Sequence, residues 1–122
     1  PPLASAPGEI MVGDGHGFFD FEAKYQPGEM DVQIPADIPT DTAETVRAMA
    51  VQAFEALDCE GVVRVDFFYT PEGRLIFNEI NTMPGFTDLS VAPQLLAHSG
   101  ISYPELVEHL IQLALTRPVG LR

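Results

Sequence analysis

Apolar residues recur at helical spacing near the middle of the chain. Val46, Met49, Ala50, Ala53, Phe54 and Leu57 fall on one stripe at intervals of three and four, which predicts an amphipathic helix over 40–57. Asp41 and Glu44 read as a capping box at its start, and Gly61 as a left-handed stop beyond its end. The period then changes to two. Residues 62–69 (VVRVDFFY) and 75–81 (LIFNEIN) predict strands, and 70–74 (TPEGR) predicts the turn between them. A loop with a Pro-Gly pair follows over 82–86, then a short helix over 92–98. Ser102 opens the last helix, with Pro104 in its first turn, Glu105 completing a capping box, and Leu106, Val107, Leu110, Ile111 and Ala114 as its apolar stripe. Upstream, residues 9–12 read as a short strand and 18–25 (FFDFEAKY) as another leading into a loop. The three prolines of 26–39 predict an irregular segment with one further short strand over 32–34. The sum is an α+β layer, helices packed on a small antiparallel sheet.

The two central strands carry groups that apolar strands usually lack: Arg64 and Asp66 on the first, Asn78, Glu79 and Asn81 on the second. Side chains alternate between faces, so Arg64 shares a face with Asp66, and Glu79 with Asn81. The two sets meet if Asp66 lies opposite Glu79 and Arg64 opposite Asn81. That register sets Thr70 opposite Leu75 and leaves 71–74 as a four-residue loop. A slip by one residue would send the two acids to opposite faces. The other face would be apolar, with Val63, Val65, Phe67, Ile76 and Ile80. Like charges directly opposite destabilise a sheet, and a hard cation offsets them. Two carboxylates and an amide suit Mg²⁺ held together with phosphates, and Arg64 beside them suits an oxyanion.

Composition narrows the partners. The 122 residues hold a net charge of −12, with five arginines and one lysine, Lys24. That field repels nucleic acid and anionic membranes. No run approaches the roughly 20 apolar residues of a membrane span. The single cysteine, Cys59, forms no internal disulfide, which fits a reducing, cytoplasmic setting. The spacing of His16, His98 and His109 makes no metal motif.

The run RVDFF, then FNEINTMPGFT and Ser90, together with Gly8-Glu9-Ile10 and the EAKY at 22–25, resembles the C-terminal part of the D-alanine–D-alanine ligases, which have the ATP-grasp fold. The likeness runs in order from about Pro7 to Ala114. It implies a C-terminal ATP-grasp lobe, with the N-terminal and central domains of the enzyme lying outside this chain. The opening Pro-Pro, in place of Met, agrees with a part of a longer protein. By resemblance, Asp66, Glu79 and Asn81 bind two Mg²⁺ ions, with Mn²⁺ as a substitute, and Asn78, Glu79 and Lys24 face ATP. Arg64 stabilises the transferring phosphoryl group, and the Gly85 N–H forms part of an oxyanion hole. Ser90 binds the carboxylate of the second D-alanine. Lys24 also reaches the substrate carboxylate, and Tyr25 closes a loop over the site.

The activity so implied is ATP-dependent joining of two D-alanines through an acyl phosphate, for peptidoglycan, by a homodimeric enzyme. This stretch alone would form no product. Two other readings stay open: a D-alanine–D-lactate ligase, against which Tyr25 argues, and a non-catalytic metal- or partner-binding module. Ser90 has a second role open to it, as cap of the helix that follows.

Overall fold

A computed structural model describes residues 2–12 and 30–119. Among them are two antiparallel hairpins and three helices. The first hairpin pairs β1 (Glu9–Val12) with β2 (Met30–Gln33), Glu9 facing Gln33 and Val12 facing Met30. The second pairs β3 (Arg64–Tyr69) with β4 (Leu75–Asn81). The helices are α1 (Thr40–Ala56), α2 (Val91–His98) and α3 (Tyr103–Thr116). The single small sheet expected from the pattern is therefore two separate two-stranded sheets. The expected strand over 18–25, with Lys24 and Tyr25, lies outside the described residues.

Helix ends follow local chemistry, with one correction. The Asp41–Glu44 capping box does not form. Pro39 is the N-cap of α1, which places Asp41 inside the first turn, where Oδ1 accepts from the Thr42 N–H at 2.9 Å. The carboxylate still meets the positive end of the helix dipole there. The stop also comes earlier than Gly61. Asp58 takes the left-handed conformation (φ 51°), Cys59 N–H donates to Phe54 O at 3.0 Å, and Asp58 N–H donates to Glu55 O at 3.1 Å. That pair of bonds is a Schellman motif with aspartate where glycine is usual. Leu57, expected on the apolar stripe, is the C-cap and is exposed. The second capping box forms as expected: Glu105 N–H donates to Ser102 Oγ, and Ser102 N–H to the Glu105 carboxylate.

Buried residues are few among the described ones: Pro84 in the 82–90 loop, Ala92 and Pro93 of α2, and Leu106 of α3. This small core fastens α2 to α3. Residues 2–8 tie in from the other side. Arg47 Nε donates to Ala4 O at 3.2 Å, Ala6 N–H to Ser99 Oγ at 3.0 Å, and Ala36 N–H to Pro7 O at 2.9 Å. Gly8 sits where they converge. A Cβ built on it would lie 2.7 Å from Leu95 Cδ2 and 2.9 Å from Val32 Cγ1. The backbone approaches that closely only because Gly8 has no side chain.

Gly8→Ala is accordingly expected to destabilise the protein by about 1–3 kcal/mol, the usual cost of overpacking. Thermal unfolding measures it, and shortening Leu95 to Ala in the same chain should cost less than the two single losses added. Strict additivity would mean that Gly8 and Leu95 do not compete for space.

Candidate active site

The β3–β4 register is the core of the site. Arg64 faces Asn81, Val65 faces Ile80, and Asp66 faces Glu79, the pairing that the chemistry of the two strands demands. Beyond Asp66 the ladder shifts by one residue. Phe67 faces Phe77, Phe68 faces Ile76, and Tyr69 faces Leu75, so Asn78 is the extra residue of a bulge. The expected pairing of Thr70 with Leu75 is thus corrected: Thr70 N–H donates to Arg74 O at 2.9 Å.

The turn supplies the reason. Gly73 N–H donates to Thr70 O at 2.9 Å, and Gly73 has φ 84°. Pro71, Glu72 and Gly73 form a three-residue loop, a tight turn closed by a left-handed glycine, in place of a four-residue one. The loop is one residue shorter than expected, and the bulge takes up that residue.

The bulge redistributes the faces. Phe77 joins Val65, Phe67 and Ile80, and its ring meets Phe67 edge to face at 5.9 Å. Ile76, expected on that apolar face, pairs instead with Phe68 on the side of Asp66 and Glu79. Both are exposed. The acidic patch therefore continues into an apolar strip toward the turn.

Arg64 answers the paired acids. Its Nε donates to Asp66 Oδ1 at 2.9 Å and its Nη2 to Asp66 Oδ2 at 3.0 Å, a two-point fork between side chains about a quarter exposed. The bond to Asp66 is the main reason that the Arg64 guanidinium holds its proton even more firmly than usual. Partial burial works against it, and the charges of Asp66 and Glu79 add to it. Glu79 is exposed on the opposing strand. Among the described residues no three of His, Cys, Asp and Glu cluster, so the oxygen set is two carboxylates and the Asn81 amide.

Asn81 does two things. It closes the ladder, and its Oδ1 accepts the Met83 N–H at 3.0 Å, which turns the chain into the 82–90 loop. This turn also explains why β3 begins at Arg64 and not at Val62: β4 ends opposite Arg64. A carbonyl oxygen has two lone pairs, so Asn81 Oδ1 keeps one for a cation.

The loop that leaves the hairpin at Asn81 carries Gly85 and Ser90 and is pinned at its middle. Tyr103 Oη donates to Phe86 O at 2.9 Å, and the two rings lie 5.4 Å apart. A Cβ on Gly85 would fall 3.1 Å from Ser90 Oγ, so these two expected site residues are neighbours. Ser90 is the N-cap of α2 by position, yet its side chain makes no capping bond. Serine caps by accepting from the N–H two or three residues into the helix, and the third residue here is Pro93, which has none. The hydroxyl is instead turned back, accepting from Thr87 N–H at 3.0 Å, with Thr87 Oγ1 at 2.8 Å. Sequence patterns single out neither Thr87 nor Tyr103. The one available signal for Thr87 is its place three residues before a serine whose helix has proline in its first turn.

A family model described as D-ala D-ala ligase C-terminus matches residues 2–112. The chain belongs to this family. It is 55% identical over 123 residues to a D-alanine--D-alanine ligase of Pseudarthrobacter chlorophenolicus, covering 99% of this chain and 32% of that protein. With the ligase of Acetivibrio thermocellus the identity is 54% over 117 residues, covering 95% and 31%. The chain thus spans about a third of the length of the curated relatives it matches. Among solved structures, the D-alanine-D-alanine ligase from Coxiella burnetii matches with a TM-score of 0.76 at 34% identity, covering 95% of this chain and 29% of that one. The VanG D-Ala:D-Ser ligase from Enterococcus faecalis matches at 0.71 and 35%, covering 91% and 34%. The fold is the α+β C-terminal lobe of the ATP-grasp ligases.

Two surface depressions, of about 300 and 460 Å³, lie away from the hairpin. One is bounded by Leu3 and Arg47, the other by Ile101 and His109, and neither includes an expected site residue of this ligase lobe. Lys24 and Tyr25 lie outside the described residues.

The Arg64 fork has a measurable consequence. Replacing it by Met leaves Asp66 facing Glu79 without compensation, which should cost on the order of 1 kcal/mol in thermal unfolding at low salt. Asp66→Asn in the same chain should recover part of that loss. Equal unfolding temperatures for Arg64→Met with and without Asp66→Asn would show that repulsion across the hairpin is not what Arg64 relieves.

Proposed function

We propose that this chain is the C-terminal lobe of an ATP-dependent D-alanine–D-alanine ligase, and that it supplies the phosphate-facing side of the active site. The observation that carries the reading is the register of Asp66 on Glu79 and Arg64 on Asn81, which joins two carboxylates, an amide and a guanidinium on one hairpin face. Relatives named D-alanine--D-alanine ligase at 50–55% identity support it, as does a match to the Bacillus anthracis enzyme complexed with ATP, with a TM-score of 0.70 at 26% identity.

In this reading the carboxylate of the first D-alanine attacks the γ-phosphate of ATP. The bond from that phosphorus to the bridging oxygen breaks, leaving ADP and an acyl phosphate. The amine of the second D-alanine then attacks the acyl carbon, loses a proton, and inorganic phosphate leaves. Asp66, Glu79 and Asn81 present hard oxygen donors that fit two Mg²⁺ ions, and the ions, when bound, neutralise phosphate charge. Arg64 shares its charge between Asp66 and the transferring phosphoryl group. The Gly85 N–H meets the oxyanion that develops on the acyl carbon. Ser90 holds the carboxylate of the second D-alanine. Phe68 and Ile76 form an apolar wall beside the phosphates and exclude water from the acyl phosphate. Asn78 and Lys24 face the nucleotide, and Tyr25 covers the site. The remaining domains of the enzyme supply the first-D-alanine site, and the whole works in the cytoplasm as a homodimer.

The acceptor is D-alanine. Relatives at 50–55% identity carry that name. The test is an assay of the full-length enzyme with ATP, Mg²⁺ and D-alanine, offering D-alanine, D-serine or D-lactate as acceptor. D-Ala-D-Ala should be the main product. A preference for D-lactate would overturn the acceptor assignment, and ATP turnover with none of the three would favour a different ligase altogether. The 122-residue chain alone should form no dipeptide, because it spans about a third of its relatives' length.

Asp66→Ala and Glu79→Ala in the full-length enzyme should each lower kcat by the order of 10²-fold or more, since transition-state charge stabilisation is what disappears. A change confined to the KM for D-alanine would remove both residues from the phosphate side.

A further inference from the structure

We propose that Thr87 is a positioning residue that turns Ser90 into a dedicated hydrogen-bond donor for the acceptor's carboxylate. The proposal rests on the reading of Ser90 given above and extends it to a residue that touches no substrate.

The argument is a count of hydrogen-bond valences. A serine hydroxyl has one proton and two lone pairs. At an ordinary helix start one lone pair would accept a backbone N–H of the first turn. Pro93 removes the third-residue donor of α2, and no capping bond forms. The Ser90 hydroxyl is held instead by the Thr87–Ser90 turn, which Ser90 N–H closes by donating to Thr87 O at 3.1 Å. Within it the Thr87 N–H fills one lone pair of Ser90 Oγ at 3.0 Å. The Thr87 hydroxyl lies 2.8 Å away, and the proton between the two oxygens can belong to either.

The two polarities have different consequences. If Ser90 donates to Thr87, its only proton is spent inside the turn. If Thr87 donates to Ser90, both lone pairs of Ser90 are filled and its proton is left for an outside acceptor. A carboxylate has no proton to give, so it selects the second polarity. Its charge is then met by a hydroxyl whose oxygen is polarised by two donors. Gly85 keeps the approach open, since any side chain there would start 3.1 Å from Ser90 Oγ. Tyr103 holds the intervening Phe86 carbonyl, so the turn cannot drift from α3. Valine at 87 would keep the backbone N–H contact and the shape, but not the second donor.

The test uses steady-state kinetics of the full-length ligase. Thr87→Val should raise KM for the second D-alanine about threefold to tenfold, the equivalent of one neutral hydrogen bond. KM for ATP and the unfolding temperature should stay at wild-type values. Thr87→Ser, which restores the hydroxyl, should return KM to within twofold of wild type. In a Ser90→Ala background Thr87→Val should add nothing further. If Thr87→Val changes KM equally with and without Ser90, or if Thr87→Ser behaves like Thr87→Val, Thr87 acts by some other route and the proposal falls alone. If Ser90→Ala itself leaves the acceptor KM untouched, the placement of Ser90 at the carboxylate falls, and the role of Thr87 falls with it.

Discussion

The Asp66–Glu79 pairing is the constraint on which the rest of the structure depends. Two carboxylates directly opposite in an antiparallel ladder repel, and a two-stranded ribbon has little else to hold it together. The structure offsets that cost with the Arg64 fork on the same face and the Phe67–Phe77 contact on the other. The Asn78 bulge lets both exist at once. It keeps the acids in register at one end of the hairpin, fits the three-residue turn at the other, and delivers Phe77 to the face where Phe67 waits. Bulges beside functional groups commonly re-aim side chains in this way.

Neighbouring elements extend this face rather than bury it. Asn81 ends β4 and begins the loop with the same side chain, so the last oxygen donor of the hairpin also fixes the direction in which the chain leaves. The loop is then fastened to α3 through Tyr103 and to α2 through Ser90. Exposed apolar side chains flank it: Met83 is 88% exposed and Leu89 78%. Phe68 and Ile76 give the acidic face of the hairpin an apolar margin as well. An exposed apolar margin of that kind marks a contact surface.

Much of this was legible in the residues alone. The hairpin strands, the turn between them, and the helix beginning at Tyr103 with its capping box all have local causes: alternation, β-branched and aromatic runs, and Ser-x-x-Glu. The pairing of Asp66 with Glu79 was legible because only one parity brings acids and amide to a common face. The family was legible because RVDFF and NEINTMPG carry enough specific residues to be matched as words.

Tertiary structure decided what local rules leave degenerate. A Pro-Glu-Gly turn permits a loop of three or four residues, and only the shorter one, with its compensating bulge, lets Phe67 and Phe77 meet edge to face. That choice moved Ile76 to the other face. Asp41 and Ser90 both match capping patterns, but the N-cap of α1 is Pro39, and Pro93 removes one of the two N–H groups that Ser90 could take; neither side chain caps. The sequence determined which chemical groups this lobe possesses and the faces of most of them. The fold decided which of those groups are already engaged with one another, because a hydrogen bond needs distance and direction, and these depend on how loops and helices pack around the hairpin.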